Sequence, residues 1–174
     1  YQRCRSLGGS EMCIRDSTNA IFQNSPVIPL AAGVIDIVGA ANGGTVPALG
    51  VLMGVEYVDS TSKKTVFKNY WPGSNNVSVD TNFPVKAFVA DNPNQVFMIA
   101  ADGTSTDRAT ALTNIFANVS LANGTSGSTA TGRSTAEMDI STVATTATLI
   151  MRVVGLTGDD ANLDFDAAGV NYIV

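Results

Sequence analysis

The apolar positions of this chain come in short bursts separated by turn residues, and several bursts alternate. Pro84–Ala90 is the clearest: Val85, Ala87 and Val89 fall on one side, Lys86 and Phe88 on the other. That two-residue period is the signature of a half-buried strand. Val27–Leu30, Val34–Val38, Leu49–Val58 and Thr65–Trp71 read as strands on the same grounds, as do Gln95–Ala101, Thr148–Leu156 and a last one beginning at Gly169. Thr148–Leu156 is the most apolar and β-branched, so it is predicted to be central. Turns are predicted at Ala41–Gly44, Asp59–Lys64, Pro72–Asn76 and Asp91–Asn94, where Asn, Gly, Pro and Asp cluster. The four-residue turn after Ala90 predicts a β-hairpin between Pro84–Ala90 and Gln95–Ala101.

One helix is predicted, over Asp107–Val119. Asp107 is placed to cap it, and Ala109, Leu112, Ile115, Phe116 and Val119 recur near helical spacing. Asn123–Ser134 is poor in apolar residues and reads as an exposed loop, and Thr157–Asp166 as an acidic one. Many short strands with at most one short helix predict an all-β chain, an antiparallel β-sandwich or barrel. Neither an internal repeat nor a linker stands out, so residues 18–174 are expected to form a single domain.

The first seventeen residues break the pattern. They show neither helical nor strand periodicity, yet hold both cysteines, Cys4 and Cys13, and three of the ten basic residues. Back-translated, Glu11–Ser17 reads GAG ATG TGT ATA AGA GAC AGN, which resembles a transposon-derived sequencing adapter read in frame. Residues 1–17 are therefore expected to be an artefactual leader, to be tested against the nucleotide read. Setting aside its three basic and two acidic residues leaves seven basic and thirteen acidic, a net charge of −6 against −5 for the whole chain.

Composition then narrows the chemistry. An acidic chain with few Lys and Arg argues against nucleic acid as a partner. With no His, the commonest general base and metal ligand is missing. The longest apolar run, Val27–Ile35, is broken by Pro29 and Gly33 and is too short to span a bilayer.

Three constellations are candidates for a site. Asp160-x-Asn162-x-Asp164 supplies the first three oxygen ligands of a calcium loop, but Phe165 stands where that loop needs Gly and Asn171 where it needs Glu. Glu56 and Glu137, the two Glu residues outside the leader, are the only Glu pair for glycoside cleavage, and nothing in the sequence makes them face each other. The aromatics Tyr57, Phe67, Tyr70, Trp71, Phe83, Phe88, Phe97 and Phe116 offer either a core or a groove, with Trp71 beside Pro72-Gly73 a candidate for a rim. Sequons at Asn76, Asn118 and Asn123 are expected by chance in so Asn-, Ser- and Thr-rich a chain. There is no G-x-S-x-G motif and no phosphate-binding glycine loop with its Lys. The residues thus predict no catalytic, cofactor-binding or metal-ligating site.

Four segments in order, Gly50–Ser74, Val85–Thr104, Gly127–Leu156 and Asp164–Val174, resemble a family of virion structural proteins of tailed bacteriophages, especially phages of marine bacteria. The most specific pieces are Gly50–Tyr57 with Tyr70-Trp71-Pro72, the Asp91-Asn92-Pro93 turn with Val96-Phe97, and Thr145–Leu156. The resemblance implies a head decoration, or cement, protein: non-enzymatic, without cofactor, seated on the capsid exterior after assembly in the host bacterial cytoplasm. Its implied partners are the major capsid protein and further copies of itself, with no membrane, nucleic acid or small-molecule substrate. Family members extend beyond both Thr18 and Val174, which implies a metagenomic fragment truncated at both ends. The alternatives are a tail or fibre-associated β-module binding a host receptor and, less favoured, a polysaccharide-degrading tailspike domain.

Overall fold

A computed structural model describes residues 11–14, 17–31, 33–39, 47–159, 162 and 164–174. The predicted Ala41–Gly44 turn and Asp160 lie outside the described residues. The chain is all-β. Strands β1 (Glu11–Ile14), β2 (Pro26–Pro29), β3 (Ile35–Ile37), β4 (Gly50–Val58), β5 (Thr65–Lys68) and β6 (Val85–Ala90) come first. They are followed by β7 (Met98–Ala100), the helix α1 (Arg108–Thr113), β8 (Asn118–Ala122), β9 (Gly127–Ser128) and β10 (Arg133–Ser134). The last strands are β11 (Glu137–Ala144), β12 (Met151–Arg152), β13 (Gly155–Leu156) and β14 (Asn171–Ile173). Every ladder between these strands is antiparallel.

The chain divides into two compact units with no linker-like composition between them. The first comprises Tyr1–Gly43, Ala48–Pro93 and Gly124–Thr135; the second comprises Gly44–Pro47, Asn94–Asn123 and Ala136–Val174.

The first unit is built on a six-stranded sheet in the order β1-β6-β4-β2-β3, with β5 also paired to β4. Alternation along β6 buries Val85, Ala87 and Val89, as predicted. In β4 the alternation is broken once. A bulge between Leu52 and Gly54 sets Met53 outside the register and re-aims the rest of the strand, so Leu52, Val55 and Tyr57 all turn inward. These side chains join Ile21, Val27, Ile35 and Ile37 in one core.

Trp71 is fully buried there, 1% exposed, not at a rim. It exchanges two backbone hydrogen bonds with Ile21, its indole Nε1 donates to the Ser17 carbonyl at 3.0 Å, and its ring meets Tyr57 edge-on at 5.9 Å. Gly73 supplies the φ of +93° that the chain needs just beyond Trp71, where a Cβ would strike the Thr18 carbonyl.

The leader also enters this sheet. Glu11–Ile14, read as having no strand periodicity, pairs residue for residue with Val85–Phe88, and Ile14 is buried in the core. Cys13 of β1 is also bridged in parallel to Val34, just before β3. The predicted exposed loop Asn123–Ser134 instead carries the short β9–β10 ladder and bonds the rest of the first unit through Gln23 N–H to Gly132 O and Ser134 N–H to Gln23 O.

The second unit has two three-stranded sheets, β11-β8-β12 and β13-β14-β7. Its core gathers Ala101, Ala111, Val119, Met138, Val153, Phe165, Val170 and Tyr172. The predicted hairpin does not form: β6 pairs with β1 and β4, whereas β7 pairs with β14. Two good strands and a short turn are a local signal, and pairing with distant strands outweighs it. The predicted helix is halved. It begins as expected, with the Asp107 carboxylate accepting from Thr110 N–H at 2.7 Å, but stops after Thr113. Phe116 takes a φ of +69° and Asn118–Ala122 is strand, so Val119 reaches the core from a sheet. The apolar run Thr148–Leu156 is split into β12 and β13, which belong to different sheets, rather than forming one central strand.

Candidate functional site

The polar residues that looked like chemistry are engaged in holding loops and strands. Asn162 is buried, and its side-chain oxygen accepts from Asn171 N–H while its Nδ2 donates to the Asn171 carbonyl at 3.1 Å. The central donor of the calcium-like triplet is thus spent on fastening its loop to β14. Asp159, Asp164 and Asp166 point to solvent, and Asp160 is outside the described residues. Among the described residues no three His, Cys, Asp or Glu side chains gather as a metal site.

The two candidate glutamates fall in different units. Glu56 on β4 pairs with Lys86 on the neighbouring β6 at 3.4 Å. Glu137 on β11 accepts from Asn123 Nδ2 at 3.1 Å. Each is engaged within its own unit.

Three other carboxylates are held below the usual aspartate range by donors. For Asp59 the cause is first the Ser62 backbone N–H and hydroxyl, with Lys63 adding little. For Asp80 it is first the Lys63 ammonium at 2.9 Å, then Asn82. For Asp107 it is the Thr110 backbone N–H at the start of α1. These are turn and cap interactions of a kind that stabilise the charged form. The Tyr57 phenol is pushed up, first by burial, then by the nearby charge of Asp59 and by Tyr70.

Two buried polar clusters carry no sequence signal: Ser17 Oγ donates to the Asp36 carboxylate at 2.9 Å, and a second centres on Tyr172. Tyr172 is fully buried, and its hydroxyl meets Ser105 Oγ at 2.9 Å and Asn114 Nδ2 at 3.2 Å. This ties β14 to both ends of α1. No local pattern announces it, since the three residues are far apart in sequence.

Several large apolar side chains are exposed. On the first unit Met53, Phe67 and Phe83 are exposed; on the second Val96, Met98, Leu112, Phe116 and Val154 are. Phe67 is 68% exposed because Val66, its neighbour, faces inward opposite Tyr57, which leaves Phe67 on the opposite face beside Glu56. That parity is available in Thr65–Lys68, since successive side chains of a strand face opposite sides. Phe116, also 68% exposed, lies under the Arg152 guanidinium, 5.5 Å from its ring centre. Among the described residues no helix is long and apolar enough to cross a membrane. No protein-family model, curated protein or solved structure matches the chain.

Proposed function

We propose that this chain is a non-enzymatic part of a tailed-phage virion, a decoration protein that binds the major capsid protein from outside and stiffens the lattice. The observation that carries the reading is the set of large apolar side chains left in water on both units, Phe67 and Phe83 on one, Met98 and Phe116 on the other. Exposed side chains of this size supply the anchors of protein contacts. A protein repeated over a shell needs only a few such anchors per contact, because many copies act together. The engagement of Glu56, Glu137 and Asn162 within their own sheets and loops fits a binding part better than a hydrolase. An acidic chain also suits the outer face of a shell better than its DNA-filled interior. The test is cosedimentation of the protein with expanded, undecorated capsids, with the melting temperature of the shell as second readout. Binding and a raised melting temperature are expected; protein that stays in the supernatant overturns the reading.

A further inference from the structure

The two units differ sharply in charge. The segments of the second contain two basic and eight acidic residues, a net −6; those of the first, from Thr18 on, contain five basic and five acidic, a net charge of zero. All four lysines are in the first unit, three of them at β5: Lys63, Lys64 and Lys68. Lys63 is spent on Asp80, as Lys86 is on Glu56. Among the described residues, Lys64 and Lys68 have no ion-pair partner, and Phe67 between them is 68% exposed. Among the described residues β5 has one strand neighbour, β4, and its other edge pairs with no strand.

We propose that this β5 edge is a docking site for a second copy of this chain, and that it seats on the acidic second unit of that copy. Lysines on an edge strand repel an identical edge, which disfavours a symmetric β5-to-β5 pairing. The same charges attract a surface of opposite sign, and the second unit is that surface. Its acidic loop is held in place: Phe165 is buried, and its carbonyl accepts from the Ser105 and Thr106 N–H groups at 3.0 Å. The flanking Asp164 and Asp166 are thereby fixed outward. Phe67 supplies the apolar anchor on one face of the edge strand, and Lys64 and Lys68, on the other face by alternation, flank the edge and set the orientation. Such a contact joins unlike surfaces, so two copies can exchange it reciprocally or it can repeat from copy to copy.

Sedimentation velocity of the purified full chain tests this with no capsid present, so its failure is separable from failure of capsid binding. At low ionic strength the chain is expected to form larger species as concentration rises, and to lose them near 1 M salt, where the screening length falls to about 3 Å. Lys64→Glu with Lys68→Glu should abolish association, and Phe67→Ser should weaken it at least about tenfold, the usual effect of losing an anchor. All three positions are exposed, and far-UV circular dichroism verifies that the variants fold. Adding Asp164→Lys and Asp166→Lys to the double lysine variant reverses both faces and should restore association. A chain that stays monomeric at every concentration overturns the proposal. So does association that survives the double lysine change, or a charge-reversed variant that does not regain it.

Discussion

The two units reach stability by different routes. The first relies on strand length and alternation: β4 and β6, nine and six residues long, line up Leu52, Val55, Tyr57, Val85, Ala87 and Val89 against Trp71. In the second, only β11 is of comparable length, eight residues, and its register shifts after Asp139. The second unit is held at defined points by hydrogen bonds from buried side chains: Tyr172 to Ser105 and Asn114, and Asn162 to Asn171. Apolar burial is collective and tolerant of detail, whereas a buried polar fastener is worth little when made and costs much when broken. The first unit has fasteners too, Ser17 Oγ to Asp36 at 2.9 Å and Trp71 Nε1 to the Ser17 carbonyl at 3.0 Å, so lost volume should dominate along β4 and β6 and lost partners at Tyr172 and Asn162.

The largest effect is expected at Trp71. Trp71→Ala should cost about 3–5 kcal/mol, the range for emptying a large aromatic site in a core. Denaturant unfolding followed by far-UV circular dichroism measures it, since the chain's one tryptophan is removed. A cost below about 1 kcal/mol would be that of a surface position and would break the picture of the first unit. Ile14→Ala is next. Ile14 is 3% exposed on β1, at the end of the sheet order, so the loss should fall near the low end of the range for Ile-to-Ala changes, about 2 kcal/mol. A negligible change in the same assay would mean that β1 does not pack against β6 in solution.

Tyr172→Phe sharpens the other side of the comparison. It keeps the ring and removes only the hydroxyl, leaving buried Ser105 Oγ without its partner. The expected cost is about 1–2 kcal/mol, that of one unsatisfied buried polar group. Ser105→Ala combined with Tyr172→Phe should cost less than the two single changes added together, because the pair is then removed as a whole. Strict additivity would show that the hydroxyls are not coupled.

The same contrast explains what was legible. The all-β class and the strands at Val27, Val34, Leu49, Thr65 and Pro84 were readable because alternation over several residues is a local property of the chain. Pairing partners were not readable. β6 and β7 are separated by a turn of the right length and still enter different sheets, since the complementary strands β4 and β14 lie far away in sequence. The helix start was legible in Asp107, whose cap needs only a neighbour three residues on. Its end was not, because Leu112, Ile115, Phe116 and Val119 keep a helical rhythm while Val119 is drawn into the β8 ladder with Met151. At the candidate sites, the spacing of Asp160, Asn162 and Asp164 resembled a calcium loop. The geometry of Asn162, aimed at Asn171, is a property of the fold and not of spacing.

The smallest effects are those of pH, and they fall unequally on the two units. Asp59, Asp80 and Asp107 each have a folded pKa below that of the unfolded chain. A depressed carboxylate contributes stability that is present above its unfolded pKa, near 4, and is lost as pH falls through the lower folded value. Acid should therefore destabilise both units below about pH 4. Two of the three carboxylates are in the first unit, so Asp80→Asn should flatten its acid limb while leaving that of the second unit unchanged. On the alkaline side the sign reverses. The folded Tyr57 pKa is raised, so its contribution is complete below the ordinary tyrosine value, near 10, and is lost as pH rises through the folded one. Tyr57→Phe should remove part of the alkaline loss from the first unit alone. Amide hydrogen exchange resolved by peptide separates the two units across pH 3–11. An alkaline limb of equal depth in Tyr57→Phe and the parent would show that burial beside Trp71 does not control that titration.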